Sequence, residues 1–369
     1  MKIEYNYLQH EFADSTAVFR DWEKLIRSSE FTLGPFVKDF EERFAAYIGG
    51  KHCISTNNGT DALILSLKAL GIGAGDEIIT VTNTFYATVG AIVAVGATPV
   101  LIDTDDRFQI NLKLIEQNIT SKTKAVLPVH WGGASPNMEK ISEICEKYNL
   151  FIIEDACMGI GASIHNKSAG TFGHVNAFSM HPLKSLNVMG DGGMVITDDD
   201  NLASWMRKFR NHGMIDRDHI EFWGVNMRLQ PIQAIVASHA LDRLENSLSM
   251  RRKNASLLDE GLSYLSKKGF VQVPERLSGY EETYALYMAL FKNRDNLKKY
   301  LEHNDIEVKI HYPIPIHKQK AAQRGCKFNQ NELINSEIQS EKLLTIPVHQ
   351  FVTTENIEYM LEKISLFYS

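Results

Sequence analysis

The chain has 369 residues and a formal net charge of −6, with 44% hydrophobic and 23% charged residues. That length exceeds what one core usually holds and predicts two domains with the balance of an ordinary globular protein. The sequence has no basic run, no apolar stretch long enough for a bilayer and no apolar signal core after Met1, which argues against a nucleic-acid partner, a membrane span and export.

The polar N-terminal stretch carries Val18, Trp22, Leu25 and Ile26 at helical spacing. It reads as an arm that packs on another part of the protein or on a second copy. Phe31-Thr32-Leu33-Gly34-Pro35 is a turn, and Val37, Phe40, Phe44, Tyr47 and Ile48 then predict a helix ended by Gly49-Gly50. A short strand from Cys53 runs into Asn57-Asn58-Gly59-Thr60-Asp61, which opens a helix with an apolar stripe at Leu63, Leu67 and Leu70. A helix N-terminus offers unpaired N–H groups to a phosphate. An ordinary cap by Asn58 or Thr60 has the same appearance.

Strand and helix then alternate. Strands are predicted over 77–81, 99–102, 125–129 and 151–155, and helices from Thr84 to Ala94, Leu112 to Ile119 and Asn137 to Tyr148. This pattern gives a mostly parallel sheet with covering helices, whose ligands sit beyond the carboxyl ends of the strands. Gly59, Thr60, Phe85, His130, Asp155 and Lys184 all fall at such ends or in the loops after them. Lys184 follows the apolar strand Asn176 to Met180 and the breaker Pro182, and the strand Met194 to Thr197 follows the Gly190-Asp191-Gly192-Gly193 turn. A helix is predicted over 202–209 and a long one over about 231–253. From about Leu257 the pattern becomes α+β, with strands over 283–291 and 308–310 and helices over 294–304 and 355–367. The expected division is a larger unit over 1–250 and a smaller one over 251–369. The four cysteines form neither a CxxC pair nor a zinc spacing. Reduced thiols in a cytoplasmic protein, with no metal, are the expectation.

A lysine held partly out of water at a strand end can lose its proton and attack a carbonyl. Taken alone, Lys184 also reads as a surface lysine beside a turn. A lysine nucleophile with a phosphate-binding turn and an acid suggests pyridoxal phosphate, which needs all three. Asp155 is the natural partner for the pyridine nitrogen, although a strand-end aspartate is also an ordinary cap. Phe85 could cover the ring or belong to the core. Ser179 could add a hydroxyl to the phosphate or be a buried strand serine. His317, in the Pro-rich segment 311–317, could reach the site or be structural.

The ordered set of segments resembles the DegT/DnrJ/EryC1/StrS family of sugar aminotransferases. It includes Leu33-Gly34-Pro35, Asn58-Gly59-Thr60-Asp61-Ala62-Leu63, Gly75-Asp76-Glu77, Glu154-Asp155-Ala156, Ser179-Met180-His181-Pro182-Leu183-Lys184, Gly224-Val225-Asn226-Met227-Arg228 and Tyr312-Pro313. The resemblance implies an α/β fold of the aspartate-aminotransferase type, PLP fold type I. Lys184 would carry pyridoxal 5'-phosphate and shuttle the proton, and Asp155 would pair with its ring nitrogen. Phe85 would stack on the ring. Gly59, Thr60, Asp61 and Ser179 would hold the phosphate, joined by Asn226 from the partner subunit of a homodimer with shared sites. Leu33 and His317 lie in segments expected to meet the substrate. The implied acceptor is a keto-sugar, usually nucleotide-linked, and the implied donor is glutamate.

Two departures stand out. Met158 occupies the position where the family often has Gln or His near the cofactor's ring hydroxyl, and a thioether is a poor hydrogen-bond partner. Ser185-Leu186-Asn187-Val188-Met189 is bulkier than the usual loop after the lysine. A keto-cyclitol or non-nucleotide sugar is an alternative acceptor. A non-catalytic PLP- or sugar-binding regulator is an alternative class, and Lys184 opposes it. Lys184 also opposes the dehydrating branch of the family, which has histidine there.

Overall fold

The computed structural model describes residues 1–369. Apolar residues on both faces of the central strands account for their near-complete burial. The chain begins with α1 (Leu8–Glu11), α2 (Thr16–Ser28) and α3 (Pro35–Ile48). Pro35 starts α3, and Gly49 ends it with a φ of 84° that glycine adopts without strain. Then come β1 (His52–Thr56), α4 (Gly59–Ala69), β2 (Glu77–Val81), α5 (Tyr86–Ala94), β3 (Thr98–Ile102) and α6 (Leu112–Ile115). They are followed by β4 (Thr123–Leu127), α7 (Met138–Tyr148), β5 (Phe151–Asp155), the short pair β6 (Ser163–Ile164) and β7 (Lys167–Ser168), and β8 (Val175–Ser179). Next are β9 (Gly193–Thr197), α8 (Asp200–Phe209) and α9 (Pro231–Lys267). The chain closes with β10 (Val271–Gln272), β11 (Tyr280–Glu281), β12 (Tyr287–Phe291), α10 (Arg294–His303), α11 (Ile334–Lys342), β13 (Leu343–Ile346) and α12 (Thr354–Phe367).

Seven strands form one sheet in the order β1-β9-β8-β5-β4-β2-β3. Pairing is parallel from β8 through β5, β4 and β2 to β3, and β9 runs antiparallel to both β8 and β1. The mostly parallel sheet expected from the β/α alternation is therefore present. Its consequence for function is directional: β1, β2, β4, β5 and β8 all deliver their following loops to one edge.

A second, antiparallel sheet, β10-β12-β13, packs with α10, α12 and the later part of α9. Its core includes Leu258, Leu262, Phe291, Leu344 and Met360. Ile3 joins that core and bridges to Ile306, so the first residues of the chain pack on the C-terminal layer. No helix is long and apolar enough to cross a membrane.

Several boundaries differ from the sequence reading. α9 does not stop near Lys253 but continues to Lys267. It passes from one core to the other, and buried Arg251 and Asn254 fill the crossing. Asn254 Nδ2 donates to Val348 O, His349 O and Val352 O, so these polar side chains break the apolar stripe without breaking the helix. The strand expected from Thr283 begins only at Tyr287, because Thr283 N–H and Leu286 N–H donate to Gly133 O and Gly132 O instead. Residues 308–310 form an isolated bridge, Lys309 to Thr345, rather than a strand. The helix from Leu112 gives way after Ile115 to a 3-10 turn, Glu116–Asn118. α11 and β13 escaped the sequence reading, α11 because its buried side chains are Ser336, Gln339 and Ser340.

Glu154 sets the end of β5. It is fully buried and accepts from the N–H groups of Gly170, Phe172 and Gly173 at 2.6–2.8 Å, and it pairs with His130 Nε2 at 2.8 Å. Removing it strands one buried and two part-buried N–H donors and the His130 imidazole. Glu154→Ala is expected to cost roughly 3–5 kcal/mol, read as a lower urea midpoint at unchanged slope. A loss below about 1 kcal/mol would contradict this role.

Candidate active site

The loops at the carboxyl edge of the sheet enclose a cavity of about 310 Å³. Gly59 and Thr60 line it from the start of α4. Asn58 caps that helix: its side-chain oxygen accepts from Asp61 N–H at 2.8 Å. The capping reading is therefore correct, and it leaves the N–H groups of Gly59 and Thr60 free at the positive end of the helix. A Cβ on Gly59 would lie 2.7 Å from Ser179 Cβ, so only glycine allows α4 to approach the end of β8 this closely. Ser179 lines the same wall.

Asp155 ends β5 and reaches the cavity with 5% exposure. Its carboxylate is held from behind. Oδ2 accepts from Thr88 Oγ1 at 2.7 Å, Thr88 is bonded to Thr84 at 2.8 Å, and Oδ1 accepts from Cys157 N–H at 3.3 Å. Thr88 is a positioning residue that the sequence did not reveal, because a threonine inside a helix carries no signal of what it faces.

Lys184 lies in the loop after β8. Its N–H donates to His181 O, and its own carbonyl accepts from Tyr7 Oη at 3.2 Å and Asn187 Nδ2 at 3.3 Å. Both bonds fix the backbone and leave Nζ without a protein partner at the cavity. Burial lowers the ammonium below its ordinary value, while the neighbouring Cys157 and Asp155 oppose that shift. Burial also pushes the Cys157 thiol well above its ordinary value.

Phe85, half-exposed at the start of α5, joins Tyr86 and Tyr312 with ring centroids 5.4–6.0 Å apart. Trp131 adds a further edge, 5.5 Å from Tyr312. The opposite wall comes from distant segments: Tyr5 and Tyr7, Arg251, His311 and His349. Met158 also lines the cavity.

Four residues expected at the site lie outside this cavity. Asp61 faces back onto its own turn, with Oδ2 near Asn58 Nδ2 at 3.3 Å, and burial raises its carboxyl. Leu33 precedes α3 at a φ of 54° and packs beneath it. Asn226 is exposed and accepts from Arg228 Nε at 3.0 Å. His317 requires a correction: its ring is buried between Thr82 Oγ1 at 2.8 Å and Glu337 Oε1 at 3.1 Å. A 3-10 turn, Ile316–Lys318, tucks it under the end of β2, and its neighbour in the loop, His311, faces the cavity instead.

The donor set suits a pyridoxal phosphate. Free N–H groups and a serine hydroxyl would take its phosphate, a braced carboxylate its ring nitrogen, an aromatic its face, and an unpartnered amine its aldehyde carbon. Fold and site together define a pyridoxal-phosphate enzyme of the aspartate-aminotransferase type.

Comparison with known proteins places it further. The profile of the DegT/DnrJ/EryC1/StrS aminotransferase family matches residues 14–365. The dTDP-3-amino-3,6-dideoxy-alpha-D-galactopyranose transaminase of Aneurinibacillus thermoaerophilus is 37% identical over 93% of each chain. A pleiotropic regulatory protein of Geobacillus stearothermophilus is 37% identical over 95% of this chain and 94% of its own. Among solved structures, DesV of S. venezuelae in complex with a ketimine intermediate superposes with a TM-score of 0.94 at 30% identity, covering 99% of this chain and 98% of that one. NtdA of Bacillus subtilis with bound PMP gives 0.87 at 28% identity, covering 95% and 81%. The chain belongs to the DegT/DnrJ/EryC1/StrS aminotransferase family. It is an aminotransferase, and its cofactor is pyridoxal 5'-phosphate.

The lowered Lys184 pKa has a kinetic consequence. The free amine is the reactive form, so cofactor addition to the stripped protein speeds up as pH rises and levels off below 10.5, the ordinary lysine value. Stopped-flow absorbance against pH reads this directly. A rate still climbing through 10.5 would contradict the shift.

Proposed function

We propose that the enzyme moves an amino group from glutamate to a nucleotide-linked keto-deoxysugar and so makes an amino sugar. The observation that carries this reading is an unpartnered Lys184 amine facing the same cavity as Asp155. When bound, the cofactor supplies an electron sink for the carbon that carries nitrogen. Asp155 would keep a proton on the ring nitrogen, with Thr88 Oγ1 holding its carboxylate in place. Lys184 Nζ takes the proton from the donor carbon and later delivers one to the sugar carbon. Gly59, Thr60 and Ser179 would hold the phosphate, and Phe85 would cover the ring. The sugar specificity of the Aneurinibacillus relative supports the acceptor class.

The active form is a homodimer with shared sites, in which Asn226 reaches the partner's phosphate. Supporting this, the loop that carries Asn226 exposes Ile215, Ile220, Trp223 and Val225, and Trp223 is 86% exposed. The division near residue 250 separates a larger cofactor-binding unit from a smaller one, and the change of core along α9 supports it. Four free cysteines suit a cytoplasmic setting.

The regulatory name of the Geobacillus relative motivates a second reading, a protein that binds the cofactor without turnover. Complementation separates the two. Lys184→Ala chains and Asn226→Asp chains are each expected to lose at least about 10³-fold of turnover, and mixing them is expected to restore a measurable fraction. Full activity of Lys184→Ala would overturn the catalytic reading. No rescue in mixed dimers shown to form would remove Asn226 from the partner's site.

A further inference from the structure

His311 lines the cavity, and its Nε2 has no hydrogen-bond partner in the protein. The ring is half-buried. Its Nδ1 lies 3.0 Å from Thr345 Oγ1. That hydroxyl donates its single hydrogen to Lys309 O at 2.9 Å and accepts from Tyr5 Oη at 3.3 Å. A hydroxyl has one hydrogen and two lone pairs. With the hydrogen committed to Lys309 O, His311 Nδ1 must carry a proton and donate to Thr345. Nε2 then bears a bare lone pair, and no protein donor reaches it.

The ring is also uncharged. Burial, followed by the Lys184 and Lys309 charges, lowers its pKa to about 4. At neutral pH it is an acceptor and not a cation. A carboxylate of an amino donor would meet lone pair against lone pair and be repelled. The group that fits is an O–H. His311 and Lys184 line the same cavity, so that O–H belongs close to the carbon where nitrogen is exchanged.

We propose that His311 Nε2 accepts the hydrogen bond of the sugar's C4 hydroxyl, next to a C3 keto carbon. It thereby selects sugars hydroxylated there over their deoxy analogues. This rests on the keto-sugar reading above and names a specificity residue for it.

Two dTDP-linked 3-amino sugars share the C2 hydroxyl and differ at C4: dTDP-3-amino-3,6-dideoxygalactose carries the C4 hydroxyl and dTDP-3-amino-3,4,6-trideoxyglucose lacks it. Each is offered to the wild-type holoenzyme, and the change in the cofactor band is followed. The wild type is expected to prefer the hydroxylated sugar by about 10–100-fold. His311→Phe is expected to erase the preference by slowing the hydroxylated sugar alone, with the glutamate half-reaction unchanged. His311→Gln, which keeps an acceptor, is expected to recover part of it. Equal slowing of both sugars, or of glutamate as much as sugar, overturns the proposal.

A second measurement needs neither sugar nor variant. A ¹⁵N spectrum of the histidine rings in wild-type holoenzyme at neutral pH is expected to show His311 protonated at Nδ1 and bare at Nε2. A proton on Nε2 overturns the proposal, whichever sugar is turned over. Failure of glutamate to change the cofactor band would instead overturn the aminotransfer reading.

Discussion

A lysine amine held against a low-dielectric wall with no carboxylate in contact is the constraint on which this structure depends. An isolated buried ammonium is costly, and the protein reduces that cost by favouring the neutral amine. Asp155 is near enough to oppose the shift and is tied to Thr88 rather than to Lys184. Were the two in contact, the lysine would be a salt bridge and a poor nucleophile. Thr88 and the Cys157 N–H therefore hold the acid apart from the amine.

The sheet makes this separation possible. β5 and β8 are parallel neighbours, so Asp155 and the Lys184 loop leave the same edge side by side. Opposite them stands a wall drawn from the far ends of the chain. Tyr7 reaches the Lys184 carbonyl, Tyr5 the Thr345 hydroxyl and His349 the Glu4 carbonyl. α9 carries Arg251 between the two cores, where it is held by Gln350 and the Tyr284 carbonyl. The two sides of the cavity are thus built from different parts of the sequence, joined by one helix and the N-terminal strap.

The gathering of five of these residues at one cavity was legible in the sequence for a physical reason. Gly59, Thr60, Phe85, Asp155 and Lys184 each directly follow or end a strand, and parallel strands bring such positions together whatever the details of packing. The other wall has no such rule. Tyr5 and Tyr7 sit in a polar stretch whose pattern shows only a helix further on. Arg251 looks like one of several charges on a long helix, and its burial depends on a crossing visible only in three dimensions. His311 and His317 occupy one Pro-rich segment, and residue type cannot say which ring turns inward. The backbone places His311 in the cavity and His317 under β2. Thr88 was hidden among the small and apolar residues of α5.

The measurement closest to the centre of this account is a visible absorption spectrum of the purified protein before and after glutamate. The account predicts a Schiff-base band that depends on Lys184 and that glutamate bleaches toward the pyridoxamine form. A band that no amino donor shifts would leave a cofactor-binding protein without aminotransfer. A protein that neither binds pyridoxal phosphate nor shows a band would contradict the account built on Lys184 and Asp155.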